Sequence, residues 1–101
     1  MKFLNKVELK GLVGAISTRP VCDAIYSSFS LVTETAYNGK DGSIVIDCCW
    51  FKVVAFNAPK INKGDKVHVI GRMKYVRYCN SEGTEVTSYE VIANTVELIN
   101  E

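Results

Sequence analysis

The chain has 101 residues, 48% of them hydrophobic and 23% charged, with 12 Lys and Arg against 11 Asp and Glu. That length holds one domain, residues 1–101, and has no room for a second. A net charge of +1 excludes a histone-like or tail-driven binder. Short apolar runs, with Lys2, Lys6 and Lys10 spread over the first ten residues, exclude a transmembrane span or secretory leader, so a cytoplasmic location is expected.

The hydrophobic pattern predicts five strands. The first covers Lys6 to Gly14, with Val7 and Leu9 on one face. The second covers Tyr26 to Tyr37, where Phe29, Leu31 and Thr33 alternate with Ser28, Ser30, Val32 and Glu34, a period of two that suits a half-buried strand. Residues 38–43, with Gly39 and Gly42, form a hairpin loop. The third strand, Ile44 to Asn57, is rich in Val, Ile, Phe and Trp and apolar on both sides, which predicts a central position. Pro59 ends pairing in the following segment, which has space for one helical turn at most. Lys66 to Tyr78 makes the fourth strand, residues 79–84 a second hairpin loop, and Glu85 to Leu98 the fifth. No amphipathic helix of ten residues is present. Five strands with long hairpins must hide their edges, and a small closed barrel does so, with Gly11, Gly14 and Gly71 at its sharp bends.

Little in the sequence suggests catalysis. Cys22, Cys48, Cys49 and Cys79 form no CxxC pair, and adjacent strand residues such as Cys48 and Cys49 face opposite ways. With His68 as the only imidazole, no metal or other cofactor is expected, and the cysteines read as reduced, buried small hydrophobes, Cys79 being the best candidate for an exposed thiol. Asp41, Asp65, Glu82 and Glu85 lie in or beside turns, where solvation explains them, and no nucleophile motif accompanies His68. An enzyme is not expected.

A different chemistry emerges from strand parity. Trp50, Lys52, Val54 and Phe56 share one face of the third strand, and Arg72, Lys74, Val76 and Tyr78 share one face of the fourth. Tyr37, at the mouth of the first long hairpin, can close over them. The stretch from Trp50 to Tyr78 holds seven Lys or Arg and one acid, Asp65, while the other acids, Glu85, Glu90 and Glu97 among them, lie mostly in a loop and the last strand. Flat rings interleaved with cations suit an unpaired nucleic-acid strand, with bases stacking on the rings for about 1–3 kcal/mol each and cations following phosphates. Parity alone leaves a second reading open, since ordinary sheets also use exposed rings for cross-strand pairs and charges for solubility.

The order of residues resembles the bacterial single-stranded DNA-binding protein family. The resemblance is carried by Asn5-Lys6-Val7 followed by Gly11 and Gly14, by Phe29-Ser30-Leu31-Val32-Thr33, and by the block from Trp50 to Phe56. It continues through Lys63-Gly64-Asp65-Lys66-Val67, then Val69-Ile70-Gly71-Arg72-Met73, and Tyr89-Glu90-Val91. It implies an all-β, five-stranded Greek-key OB-fold barrel that binds single-stranded DNA with little sequence preference, in replication, recombination or repair. Stacking would fall to Trp50, Phe56, Tyr37 and Tyr78, and phosphate contacts to Lys52, Arg72 and Lys74, with Val76 standing where the family often has Arg. It further implies a homo-oligomer, a tetramer favoured over a dimer, with Phe51, His68 and Tyr75 as interface candidates, and a nucleoid-associated location. The chain departs from the family pattern in two places. Asn57 to Asp65 is too short for the usual helix, and the chain closes on Val96 to Glu101 without the usual acidic tail, so tail-mediated recruitment of other proteins is not expected. A primosomal or protein-interaction module on the same fold, binding nucleic acid weakly, is the alternative.

Overall fold

The computed structural model describes residues 1–99; Asn100 and Glu101, the last two residues of the expected domain, lie outside the described residues. Among the described residues regular structure is entirely β: β1 (Val7–Val21), β2 (Ala24–Asn38), β3 (Ile44–Phe56), β4 (Lys66–Cys79) and β5 (Glu85–Leu98). They close into a barrel in the order β1-β2-β3-β5-β4, with β4 returning to β1. Neighbours are antiparallel except where β5 crosses to lie beside β3, a parallel contact of Val53 with Val91 and Val54 with Ile92. This is the five-stranded OB architecture that the sequence implies.

The barrel is filled by the inward parity of each strand: Val13, Phe29, Leu31, Val53, Val67, Val69 and Val91 are buried together. Ile61 joins them from the β3–β4 connection, which carries no helix. Its side chain enters the core while Gly64 N–H donates to the Val13 carbonyl and Val13 N–H to the Asp65 carbonyl. Asn57, in the left-handed region at φ 55°, ends β3 one residue earlier than expected; its amide oxygen accepts from Ile25 N–H at 3.0 Å. Asn tolerates that conformation because its short polar side chain bonds locally.

β1 runs seven residues beyond the predicted end at Gly14. Pro20 makes that segment look like a loop, yet it lies where β1 pairs only with β2, so the missing N–H faces an unpaired edge. A two-residue turn, Cys22–Asp23, then reverses the chain. A register shift between Val13 and Ile16 bends β1 as it changes partner from β4 to β2. There the N–H of Ala15 is satisfied by the Ser30 hydroxyl at 3.0 Å.

Two ribbons project from the barrel, β2–β3 beyond Leu31 and Phe51, and β4–β5 beyond Met73 and Val91. They raise the radius of gyration to 16.1 Å, where a compact chain of this length has about 13 Å. Two expectations change as a result. β3 is central in strand order, but only Val53, Val54 and Ala55 are buried, while Ile44 and Ile46 stand 74% and 61% exposed on the ribbon. All four cysteines are exposed as well, because Cys48 and Cys49 lie on that ribbon, Cys22 in a turn and Cys79 at a ribbon end.

At Gly71, the second register shift, a Cβ would lie 2.1 Å from the Ile92 carbonyl oxygen and 2.9 Å from the Ala93 Cα. These are backbone atoms and cannot yield cheaply. Gly71→Ala should therefore lower unfolding free energy by about 1–3 kcal/mol, the usual cost of overpacking, measured by urea denaturation; an unchanged midpoint would show that β5 relaxes there.

Candidate nucleic-acid interface

Register decides which side chains meet. On β2–β3, Tyr26 lies opposite Phe56, Ser28 opposite Val54, Ser30 opposite Lys52 and Val32 opposite Trp50. On β4–β5, Arg72 lies opposite Ile92, Lys74 opposite Glu90, Val76 opposite Ser88 and Tyr78 opposite Val86. The parallel pairing of Val54 with Ile92 joins the two sets into one outer face across β2, β3, β5 and β4. Trp50, Phe56 and Tyr78 are 61%, 55% and 52% exposed on it. Lys52, Arg72 and Lys74 share that face, so six of the seven expected site residues come together.

Tyr37 does not join them. It pairs with Val45, and the alternation that places Trp50 outward turns Tyr37 to the opposite side of the ribbon, where it is exposed.

Trp50 reaches across β2 to β1. A Cβ on Gly14 would lie 2.5 Å from Ser30 Oγ and 2.9 Å from Cζ3 of Trp50, so the indole edge rests over a bare backbone. The same Ser30 hydroxyl satisfies the bulge at Ala15. An open groove beside the ring is lined by Ala15, Ser17, Ser28, Ser30, Trp50 and Lys52 among others.

Three residues on or beside this face lie outside the expected set. Tyr26 meets Phe56 edge-to-face with ring centroids 5.4 Å apart, and the Arg19 guanidinium lies 4.8 Å from the Tyr26 ring centre. Glu90, with its side chain only 16% exposed, binds the Lys52 ammonium at 2.9 Å. That hydrogen bond is the main reason the Lys52 pKa is raised, against a smaller opposing effect of desolvation. Tyr26 is legible in the sequence: closing the hairpin at Asn38 and Ile44 and counting back brings it to Phe56. Glu90 reads in the sequence as an acid lying away from the aromatics, and the β3–β5 crossing returns it to their centre.

The interface candidates separate. Phe51 is half-buried against the core. His68 is half-buried and its Nε2 lies 2.6 Å from Glu8, whose carboxyl is held below its usual range chiefly by that hydrogen bond. Tyr75 stands exposed on the back of the β4–β5 ribbon, edge-to-face with Tyr89 at 5.7 Å and hydrogen-bonded by Arg77 Nε at 2.7 Å.

Residues 4–99 match the model of the single-strand binding protein family. The chain belongs to that family. It is 27% identical over 105 residues to a single-stranded DNA-binding protein of Neisseria meningitidis, covering 95% of this chain and 60% of that protein. It is also 27% identical over 104 residues to one from Xanthomonas axonopodis, covering 95% and 58%. The chain thus spans about 60% of the length of the curated relatives it matches. In fold it is similar to a Plasmodium falciparum SSB solved in complex with ssDNA, with a TM-score of 0.81 and 21% identity, covering 98% of this chain and 96% of that one. A small single-stranded DNA-binding protein from Streptomyces coelicolor gives a TM-score of 0.73 at 19% identity, with 96% of each chain covered.

The contact at Gly14 is with side-chain atoms, which can move. Gly14→Ala should displace the indole and shift Trp50 emission while costing less stability than Gly71→Ala. Equal losses in melting temperature, with unchanged emission, would place the constraint in the backbone instead.

Proposed function

We propose that this protein binds single-stranded DNA along the face shared by Trp50, Phe56 and Tyr78, with Lys52, Arg72 and Lys74 between the rings. The observation that carries the reading is the register that joins two ribbons into one surface of exposed rings and cations. Each ring can stack on a base whatever its identity, and each cation can follow a phosphate, so binding is sequence-tolerant. Tyr26 extends the ring set beside Phe56 and Arg19 adds a cation at its edge; Tyr37 lies off this path. Membership of the single-strand binding protein family, and relatives named for single-stranded DNA binding, support the reading. The setting that follows is replication, recombination or repair, in the cytoplasm with the nucleoid. The protein acts by coating the strand, without catalysis.

Trp50 is the sole tryptophan and reports on its own site. Its fluorescence should fall on titration with a pyrimidine oligonucleotide and far less with duplex. No response and no mobility shift at low salt would favour a protein-interaction module. Phe56→Ala should weaken binding by about 1–3 kcal/mol, and Lys74→Ala should reduce the salt slope by about 0.7. An unchanged slope in Lys74→Ala would move the phosphate path off β4.

Self-association is part of the same reading, as a tetramer rather than a dimer, with Tyr75 as the exposed contact. Sedimentation velocity should return about four protomer masses, the oligomer that lets short grooves act together by avidity. A monomer would contradict this.

A further inference from the structure

Besides Glu97, opposite His68 toward the far end of β5, two carboxylates share the outer face described above. Glu34 lies opposite Cys48 on the β2–β3 ribbon, beyond Trp50; Glu90 lies at the centre. Glu90 is flanked on both sides by cations, bonded to Lys52 at 2.9 Å across the β3–β5 contact and paired with Lys74 across the β4–β5 ladder. By register Tyr26 and Phe56 lie toward one end of this pair on the shared face and Tyr78 toward the other, which places it among the rings. In register Glu90 lies between Phe56 on β3 and Tyr78 on β4, so a strand running directly between those rings would cross it.

An ionised carboxylate only accepts hydrogen bonds, so it offers a phosphodiester nothing but repulsion. Glu90 is largely shielded from water while the Lys52 side chain is 55% exposed, so the lysine can turn toward solvent and the acid cannot follow it. Screening by salt acts less on such a half-buried charge.

We propose that Glu90 is a built-in competitor for the phosphate backbone. It holds Lys52 in the free protein, and Lys52 exchanges it for a phosphate when a strand binds. The carboxylate left behind weakens the complex and speeds its release. Glu90 is thus a positioning residue acting through Lys52, and its effect is on the balance between holding and releasing the strand. This inference rests on the proposed single-strand function.

The test uses wild-type protein, Glu90→Gln, Lys52→Ala and the double variant. Each is titrated with oligothymidylate by Trp50 fluorescence over a range of salt, with release timed by competitor in stopped flow. Glu90→Gln keeps the side-chain size and removes the charge. It should bind about three- to tenfold tighter, from the loss of one partly exposed ion pair and one repulsion. Its release should slow by a similar factor, and the salt slope should steepen by about 0.7. Lys52→Ala should cost more affinity in the Glu90→Gln background than in wild type, because only there is Lys52 already free; a merely structural Glu90 would not produce that coupling. Glu90→Ser, shorter and equally uncharged, should do the same should Glu90→Gln lose its circular-dichroism signature. Equal or weaker binding by the uncharged variants at every salt, or identical costs of Lys52→Ala in both backgrounds, overturns the proposal. If wild-type Trp50 itself fails to respond, the single-strand reading falls instead.

Discussion

The parallel contact between β3 and β5 is the constraint on which the rest depends. Only Val53–Val91 and Val54–Ile92 make it, yet without it the chain would be two antiparallel ribbons sharing β1. Closure has two effects at once. It turns one parity of every strand inward, where Phe29, Leu31, Val53, Val67, Val69 and Val91 exclude water. It also aligns the other parity of β2, β3, β5 and β4 into one outer surface. Core and candidate site are therefore two faces of the same pairing. A slip of one residue in the β2–β3 ribbon would exchange Val53 for Lys52 in the core, which makes the buried valines the guardians of the register.

The glycines follow from the same closure. Strands that bend sharply enough to serve a five-stranded barrel bring backbones too close for a Cβ, as at Gly71 against Ile92. Gly14 serves the opposite surface, leaving space for the Trp50 ring to settle over β1 while Ser30 satisfies the bulge beside it. A device that shapes the barrel also fixes the orientation of the most exposed ring on the face.

Much of this is legible in the sequence because β-structure has a short period. Alternation alone gives the faces of β3 and β4, and two hairpin loops with glycine give the antiparallel registers. Tyr37, Tyr26 and the Lys74–Glu90 pair can all be placed by counting from those loops. What alternation cannot give is a pairing between strands distant in sequence. The neighbourhood of Lys52 and Glu90 arises only from β3 lying beside β5, so counting brings the acid to Lys74 but not to the ring and cation set of β3. The run from Ala15 to Val21 escapes for another reason: Pro20 signals a loop unless its position on an unpaired edge is known. The exposed cysteines reflect a similar limit, since composition suggests burial but the ribbons extend beyond any core.

The near-neutral charge has a structural meaning. Cations and rings are gathered on one surface, but an acid at its centre answers one of them, so long-range attraction is modest and stacking carries a larger share of the proposed affinity. The most direct test is a heteronuclear NMR titration of the protein with oligothymidylate. Perturbations should concentrate on the Trp50 indole N–H, Lys52, Phe56, Lys74 and Tyr78, with Glu8, Lys10 and His68 on the β1–β4 side left unchanged. Perturbations centred on that opposite side, or none at all at saturating oligonucleotide, would contradict the shared aromatic and basic face as the strand's path.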